Sequence, residues 1–263
     1  MLYLYQFELC PYCEKVRFIL DYKRLDYSKI EVTPGVGQLE LLRLSGKTQV
    51  PVLKDGESII TDSTEIANYL ERKYPEPALI PRDALQKGQC LLIEAWADAS
   101  IGVNSRKAFV GALNQYGNFR SSILPRETPD FLKSLVRSVP GELLDLVGTG
   151  LGLGGESVKE ALKNLKQDLE ALSLILANRP YLTGSQPTLA DFAVAGLSLT
   201  LKFPSGTYLN IPEELKGKGI PGLADHSAYD VFFNWRDRLY ADYRKDQGPT
   251  NNFDPTPTSI EIN

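Results

Sequence analysis

The chain has 263 residues, 43% of them hydrophobic and 24% charged. That is ordinary globular composition in a chain long enough for two domains, and it excludes a wholly disordered protein. Lys and Arg number 29 against 33 Asp and Glu, a net charge of −4 that argues against a broad nucleic-acid-binding surface. No apolar run has the length of a bilayer span; the best candidate, Phe192 to Leu201, is ten residues long between Asp191 and Lys202. Three cysteines make no disulfide scaffold, and the expected setting is the cytoplasm or another reducing, soluble compartment. The single histidine, His226, rules out a multi-His metal site and has no nucleophile motif near it for a Ser-His-Asp triad.

Residues 2–7 form a short apolar and aromatic run that meets Glu8 with no basic segment before it, which reads as a buried strand and not as a signal peptide. Cys10-Pro11-Tyr12-Cys13 follows, with Pro11 suited to the first turn of a helix and Val16, Ile19 and Leu20 at helical spacing behind it. Tyr27 to Val32 alternates as a strand, and residues 39–45 suggest a short helix. Val50 to Lys54 and Glu57 to Ile60 are two strands, with Asp55-Gly56 expected as the tight turn between them. Asp62-Ser63-Thr64-Glu65 opens an amphipathic helix at capping-box spacing, which stops near Tyr74-Pro75.

From Ala84 the pattern is helical. Residues 84–119 place Leu91, Leu92, Ala95 and Trp96 on one expected apolar face, with Cys90 a small buried side chain beside Ile93 and Ala97. Ser157 to Asn178 is a long helix, Thr188 to Asp191 opens another at capping-box spacing, and Phe232 to Tyr243 is the last. Two Gly- and Pro-rich stretches, about 121–156 and 203–227, read as insertions. The expected domains are 1–80 and 84–247, with a loose tail over 248–263.

The sharpest chemical feature is Cys10-Pro11-Tyr12-Cys13 between a strand and a helix. Free N–H groups and the positive end of the helix dipole stabilise a thiolate at Cys10, and Cys13 can resolve a mixed disulfide. The alternatives are half a zinc site, poorly served by Cys90 and His226, and a pair of buried structural thiols. Val50-Pro51 precedes a strand; a cis bond there frees the backbone of Val50 to pair with an extended peptide, the alternative being a trans proline at an edge strand. Asp62-Ser63 at a helix start is either a carboxylate site or a plain N-cap. Tyr12 can donate to a sulfur or stand as an exposed aromatic beside the site. The run Gly150 to Gly155 lacks the Gly-Lys-Ser/Thr ending of a phosphate loop and reads as a linker.

These three features, in this order within 63 residues of βαβ–α–ββα pattern, resemble the glutathione transferase superfamily. The resemblance resumes at Tyr181 to Gly184, at Thr188 to Phe192 and near Trp235. It implies an α/β, thioredoxin-like N-terminal domain followed by an all-α C-terminal domain. It further implies that Cys10 faces the sulfur of glutathione, with Pro11 and Tyr12 beside it, that Val50 pairs with the glutathione backbone ahead of a cis Pro51, that Asp62 and Ser63 hold the γ-glutamyl end, and that Gln49 is a further contact. Thr188 and Asp191 are implied to cap a buried helix and to lie outside the site. Within the superfamily the motif is that of glutaredoxins. It resembles the omega-like branch, and, through Leu4-Tyr5-Gln6-Phe7 and Lys15-Val16-Arg17, the membrane-associated prostaglandin E synthase of the second type, where a tyrosine stands at the place of Phe7.

The resulting expectation is a glutathione-dependent thiol transferase or reductase in which Cys10 and Cys13 are the catalytic pair. Glutathione is the cosubstrate, and no metal is expected. Its partners are glutathione and a small electrophilic or disulfide substrate, with no nucleic acid, no integral membrane segment and possible homodimerisation. An apolar second pocket is expected between the domains, walled by helix residues between Trp96 and Phe119. The rivals are a conjugating glutathione transferase and a non-catalytic protein of the same fold that binds glutathione, haem or another protein.

Overall fold

The computed structural model of the chain describes residues 1–33, 35–122, 134, 136–138 and 155–246. Strand β1 (Leu2–Gln6) leads into helix α1 (Pro11–Tyr22), strand β2 (Tyr27–Glu31), helix α2 (Val36–Ser45), strands β3 (Val52–Asp55) and β4 (Ser58–Thr61), and helix α3 (Ser63–Lys73). Among the described residues the strands form one mixed sheet in the order β2-β1-β3-β4. β1 runs parallel to β2 and antiparallel to β3, and β3 is antiparallel to β4. Register pairs Asp55 with Ser58, so the hairpin turns on Gly56-Glu57, with Gly56 at φ +59, one residue beyond the expected Asp55-Gly56.

The second half is helical: α4 (Ala84–Ala97), a π-helical turn at Asp98–Gly102, α5 (Val103–Gln115), α6 (Gly117–Ser122), α7 (Gly155–Leu176), α8 (Leu189–Leu197) and α9 (Asp230–Tyr243). Most of the 121–156 stretch and the 248–263 tail lie outside the described residues. The 203–227 stretch is described. Its Gly219 bridges back to Lys202, the residue just before it, and it folds over a small core of Leu199, Phe203, Leu209 and Leu215. None of the described helices is long and apolar enough to cross a membrane.

Helix α1 ties the halves together. It packs most extensively on α8. The crossing is close because residue 196 of α8 is glycine: a Cβ there would lie 2.5 Å from the Lys15 backbone nitrogen. Phe18 stacks on Phe192 and meets Tyr240 edge-on. One core therefore runs unbroken from Leu2, Leu4 and Val16 to Leu165, Leu169, Phe192 and Leu239. α8 starts with a reciprocal capping box. Asp191 accepts from Thr188 N–H and Thr188 Oγ1 at 2.8 and 2.9 Å and from Leu182 N–H at 2.8 Å. Burial nonetheless pushes the Asp191 carboxyl up to about 6 against those donors.

The expected apolar face of α4 is corrected. Leu91, Leu92 and Ala95 are exposed; Cys90, Glu94 and Ala97 are buried, and of the expected face Trp96 packs half-buried against the core, as does Ile93. Glu94 is buried because Lys15, wholly inside, donates to it at 2.5 Å and to Asp98 at 2.8 Å. A second buried network joins α1 to the end of α9. Glu14 pairs with Arg17 and with Arg244, the latter at 2.8 Å, and Arg244 also pairs with Asp21. Burial raises the Glu14 carboxyl, but the two guanidiniums outweigh it and hold the group down at about 2, against an ordinary value of 4.5.

The sign of the resulting pH dependence is fixed by that depression. Below about pH 4.5 the unfolded chain takes up a proton that the folded chain refuses until about pH 2. The Glu14 contribution is thus present above pH 4.5 and is lost as pH falls towards 2. Urea denaturation should show stability falling through that window. Glu14→Gln should already be destabilised at neutral pH by roughly 3–5 kcal/mol, because it leaves two buried guanidiniums short of an anion, and its fall with acid should be shallower.

Candidate active site

The loop after β1 ends at Cys10, which takes the N-cap position of α1 with extended backbone (φ −80, ψ 117), and Pro11 supplies the first turn. Cys10 N–H donates to Phe7 C=O at 3.0 Å, and Cys10 Sγ accepts from Cys13 N–H at 3.3 Å. The Cys13 thiol, which hydrogen-bonds to Cys10 Sγ, is the largest influence lowering the Cys10 thiol below its ordinary range. Burial opposes it, and the backbone N–H groups of Cys13 and Tyr12 and the charge of Arg17 add to the lowering. Cys13 is shifted the other way: burial, and then Cys10 itself, raise it well above the ordinary value. Cys10 is partly exposed and Cys13 wholly buried, both as free thiols. The two sulfurs are therefore chemically unequal, with the ionisable one facing out.

Cys10 opens onto a cleft of about 1110 Å³ between the sheet half and the helical half. Pro11, Tyr12, Gln49, Val50, Pro51, Asp62 and Ser63 all line it. The Val50–Pro51 bond is cis, and so is Glu76–Pro77, which the sequence reading did not single out. The N–H and C=O of Val50 make no hydrogen bond to another described residue. Asp62 caps α3 from a positive φ of 76°, accepting from Thr64 and Glu65 N–H at 2.8 and 3.2 Å through Oδ1, and Ser63 begins the helix behind it. Cys13 does not line the cleft.

Tyr12 is neither a donor to sulfur nor fully exposed. Its hydroxyl donates to Asp98 C=O in the π-helical turn at 3.1 Å, and it is half-buried there. Gly102 makes that contact possible, since a Cβ would come 2.6 Å from the Tyr12 oxygen. The helical wall consists of Ala95, Asp98, Ala99, Arg106, Phe109 and Val110, within or next to the expected span from Trp96 to Phe119. Thr200, which the sequence reading passed over, also lines it, as do Gln38, Lys47 and Thr48 on the other side. No local motif marks these residues; only the packing of α5 and the α8–203 segment against the loop around Cys10 brings them together. Among the described residues no group of three or more His, Cys, Asp or Glu side chains is placed to hold a metal ion.

Two family models match the chain: the N-terminal domain of glutathione S-transferase over residues 4–78 and its C-terminal domain over residues 155–238. Together they span more than half of it. The chain belongs to the glutathione S-transferase superfamily. Among curated relatives of this superfamily member, a zeta-class glutathione S-transferase from Euphorbia esula is 39% identical over 89 residues, covering 33% of this chain and 39% of the relative. Prostaglandin E synthase 2 from Danio rerio is 41% identical over 69 residues, covering 26% of this chain and 18% of the relative. The match thus spans well under two thirds of either relative. Among solved structures, the beta-etherase LigF from a Sphingobium strain superposes with a TM-score of 0.66 at 20% identity, over 91% of this chain and 95% of that one, a likeness of fold.

Alkylation by iodoacetamide, read by peptide mass spectrometry across pH, reports the inequality of the thiols. Cys10 should react in the native protein with a midpoint below that of a small-molecule thiol, while Cys13 and Cys90 stay unmodified until urea is added. Reaction of Cys13 ahead of Cys10 would contradict the assignment.

Proposed function

We propose that the chain is a glutathione-dependent thiol transferase or reductase, with residues 1–80 binding glutathione and residues 84–247 supplying the second pocket. The observation that carries this reading is the position of the Cys10 sulfur: partly exposed at a helix N-terminus, lowered in pKa, and opening onto a cleft that also presents an unpaired backbone segment at Val50. Glutathione is an extended tripeptide with an ammonium and two carboxylates. Val50 offers it a main-chain pairing edge. The Asp62 carboxylate suits the ammonium, and the N-terminus of α3 at Ser63 suits the α-carboxylate of the same γ-glutamyl end. Pro11, Tyr12, Gln49 and Pro51 complete the walls around that pose.

In the first step the Cys10 thiolate attacks one sulfur of a disulfide substrate. A Cys10 mixed disulfide forms, the old S–S bond breaks, and the leaving sulfur departs as a thiolate with the electron pair. A first glutathione thiolate attacks the Cys10 sulfur of that adduct, releasing the second half of the substrate as a thiolate and leaving a Cys10–glutathione disulfide. A second glutathione thiolate attacks the glutathione sulfur of that disulfide, releasing glutathione disulfide and the Cys10 thiolate, so that two glutathiones are oxidised for each disulfide reduced. Cys13 could release the adduct instead, closing a Cys10–Cys13 disulfide that two further glutathiones reopen. Its burial and raised pKa favour release by glutathione. Homology to a prostaglandin E synthase over 69 residues does not extend that relative's named activity to this chain.

The variants separate these roles. With glutathione and a small disulfide, Cys10→Ser should lose reductase activity by about a hundredfold or more, as expected for removal of a nucleophile. Cys13→Ser should stay within a few-fold of the parent. Full reductase activity in Cys10→Ser would overturn the reading. Loss of reduction together with retained or increased conjugation of an aryl halide would favour a conjugating transferase.

A further inference from the structure

The cleft has more on its helical wall than an apolar pocket needs. Arg106, Phe109 and Val110 line it at i, i+3 and i+4 of α5, so they share one helix face. Asp98, the carboxylate on that wall, is already engaged: Lys15 donates to it at 2.8 and 3.0 Å and Thr64 Oγ1 at 3.0 Å. Arg106 is exposed and has no ion-pair or hydrogen-bond partner among the described residues. Its charge is felt near Cys10. Burial raises the Tyr12 phenol and Asp98 raises it further, while Arg106 pulls it back. A second, independent observation lies across the wall. Thr200 is 2% exposed, lines the same cleft, and its Oγ1 is buried with no hydrogen-bond partner. A buried hydroxyl without a partner is costly unless a ligand supplies one.

We propose that the group carried beyond the glutathione sulfur is an aromatic acid, its carboxylate held by Arg106 and Thr200 and its ring lying on Phe109, Val110 and Leu9. The inference rests on the glutathione-dependent reading and names the substrate class of that same site. A guanidinium matches a carboxylate in geometry and charge, and the hydroxyl donates to the remaining lone pair. On the helical wall Arg106 offers one cation, with Lys47 on the opposite side of the cleft, and one cation balances a single negative charge, whereas a phosphate dianion there would leave one charge unmatched. Phe109 is a stable wall because Phe203 and Phe119 meet it edge-on from behind. The 203–227 segment therefore shapes this subsite from outside, and Asn210 N–H holds Glu8, beside the Cys10 loop, at 2.9 Å.

Calorimetric binding of two unreactive thioethers tests this: S-(4-carboxybenzyl)glutathione and S-(4-methylbenzyl)glutathione, with glutathione alone as reference. Wild-type protein should bind the carboxylate about tenfold more tightly than the methyl compound, the worth of one charge-assisted hydrogen bond. Arg106→Gln should bring the ratio close to one, Arg106→Glu should invert it, and Thr200→Val should reduce it by about threefold. Added salt should compress the wild-type ratio. A wild-type ratio near one, or a ratio unchanged in Arg106→Gln, would overturn the inference while glutathione binding left the functional reading standing. Failure of wild-type protein to bind glutathione and both thioethers would remove that reading, and this inference with it.

Discussion

Helix α1 carries four charged side chains, Glu14, Lys15, Arg17 and Asp21, and all four are buried. Burying a charge costs several kcal/mol unless a partner meets it, so each of them dictates where another part of the chain must lie. Lys15 draws in Glu94 and Asp98 from α4 and the turn after it, and Thr64 from α3. Glu14 and Asp21 draw in Arg244 beyond the end of α9. Arg17 reaches back to Gln6 at 2.6 Å and to Glu8 on the loop before Cys10. Such pairs add little net stability over apolar packing, but they are expensive to mismatch, and so they set the register between the two halves.

That register is what makes a site. The same helix whose flanks are clamped by ion pairs presents its N-terminus, with Cys10, to the cleft. Asp98 links the two functions: its carboxylate holds Lys15 and its carbonyl takes the Tyr12 hydroxyl, so the wall of the cleft and the start of α1 are anchored through one residue. The inequality between Cys10 and Cys13 has the same origin. One turn of helix separates an N-cap sulfur at the cleft from a sulfur packed wholly into the core.

Much of the first half was legible because its signals are local. Pro11 after a cysteine, Asp62 ahead of Thr64 and Glu65, and the strand runs around 2–7 and 52–61 each carry their own start and stop chemistry, and the elements fall within a few residues of expectation. The capping box at Thr188 and Asp191 is local in the same sense. The readings that failed are those that need a distant partner. Apolar content pointed to Leu91 and Leu92 on α4, yet Glu94 is the buried residue, because Lys15 from the far end of the chain neutralises it. Of the residues lining the cleft, the ones with motif signatures were readable. Arg106 and Thr200 were not, since their significance lies in being unpaired, and pairing is decided by tertiary structure.

The central claim is that the Cys10 sulfur forms and releases a mixed disulfide with glutathione. The most direct measurement is peptide mass spectrometry of Cys13→Ser protein after brief exposure to oxidised glutathione, followed by excess reduced glutathione. The account predicts one glutathionyl group on the Cys10 peptide, absent from the Cys90 peptide and removed within the turnover time by reduced glutathione. An unmodified Cys10, or an adduct that reduced glutathione leaves in place, would contradict it.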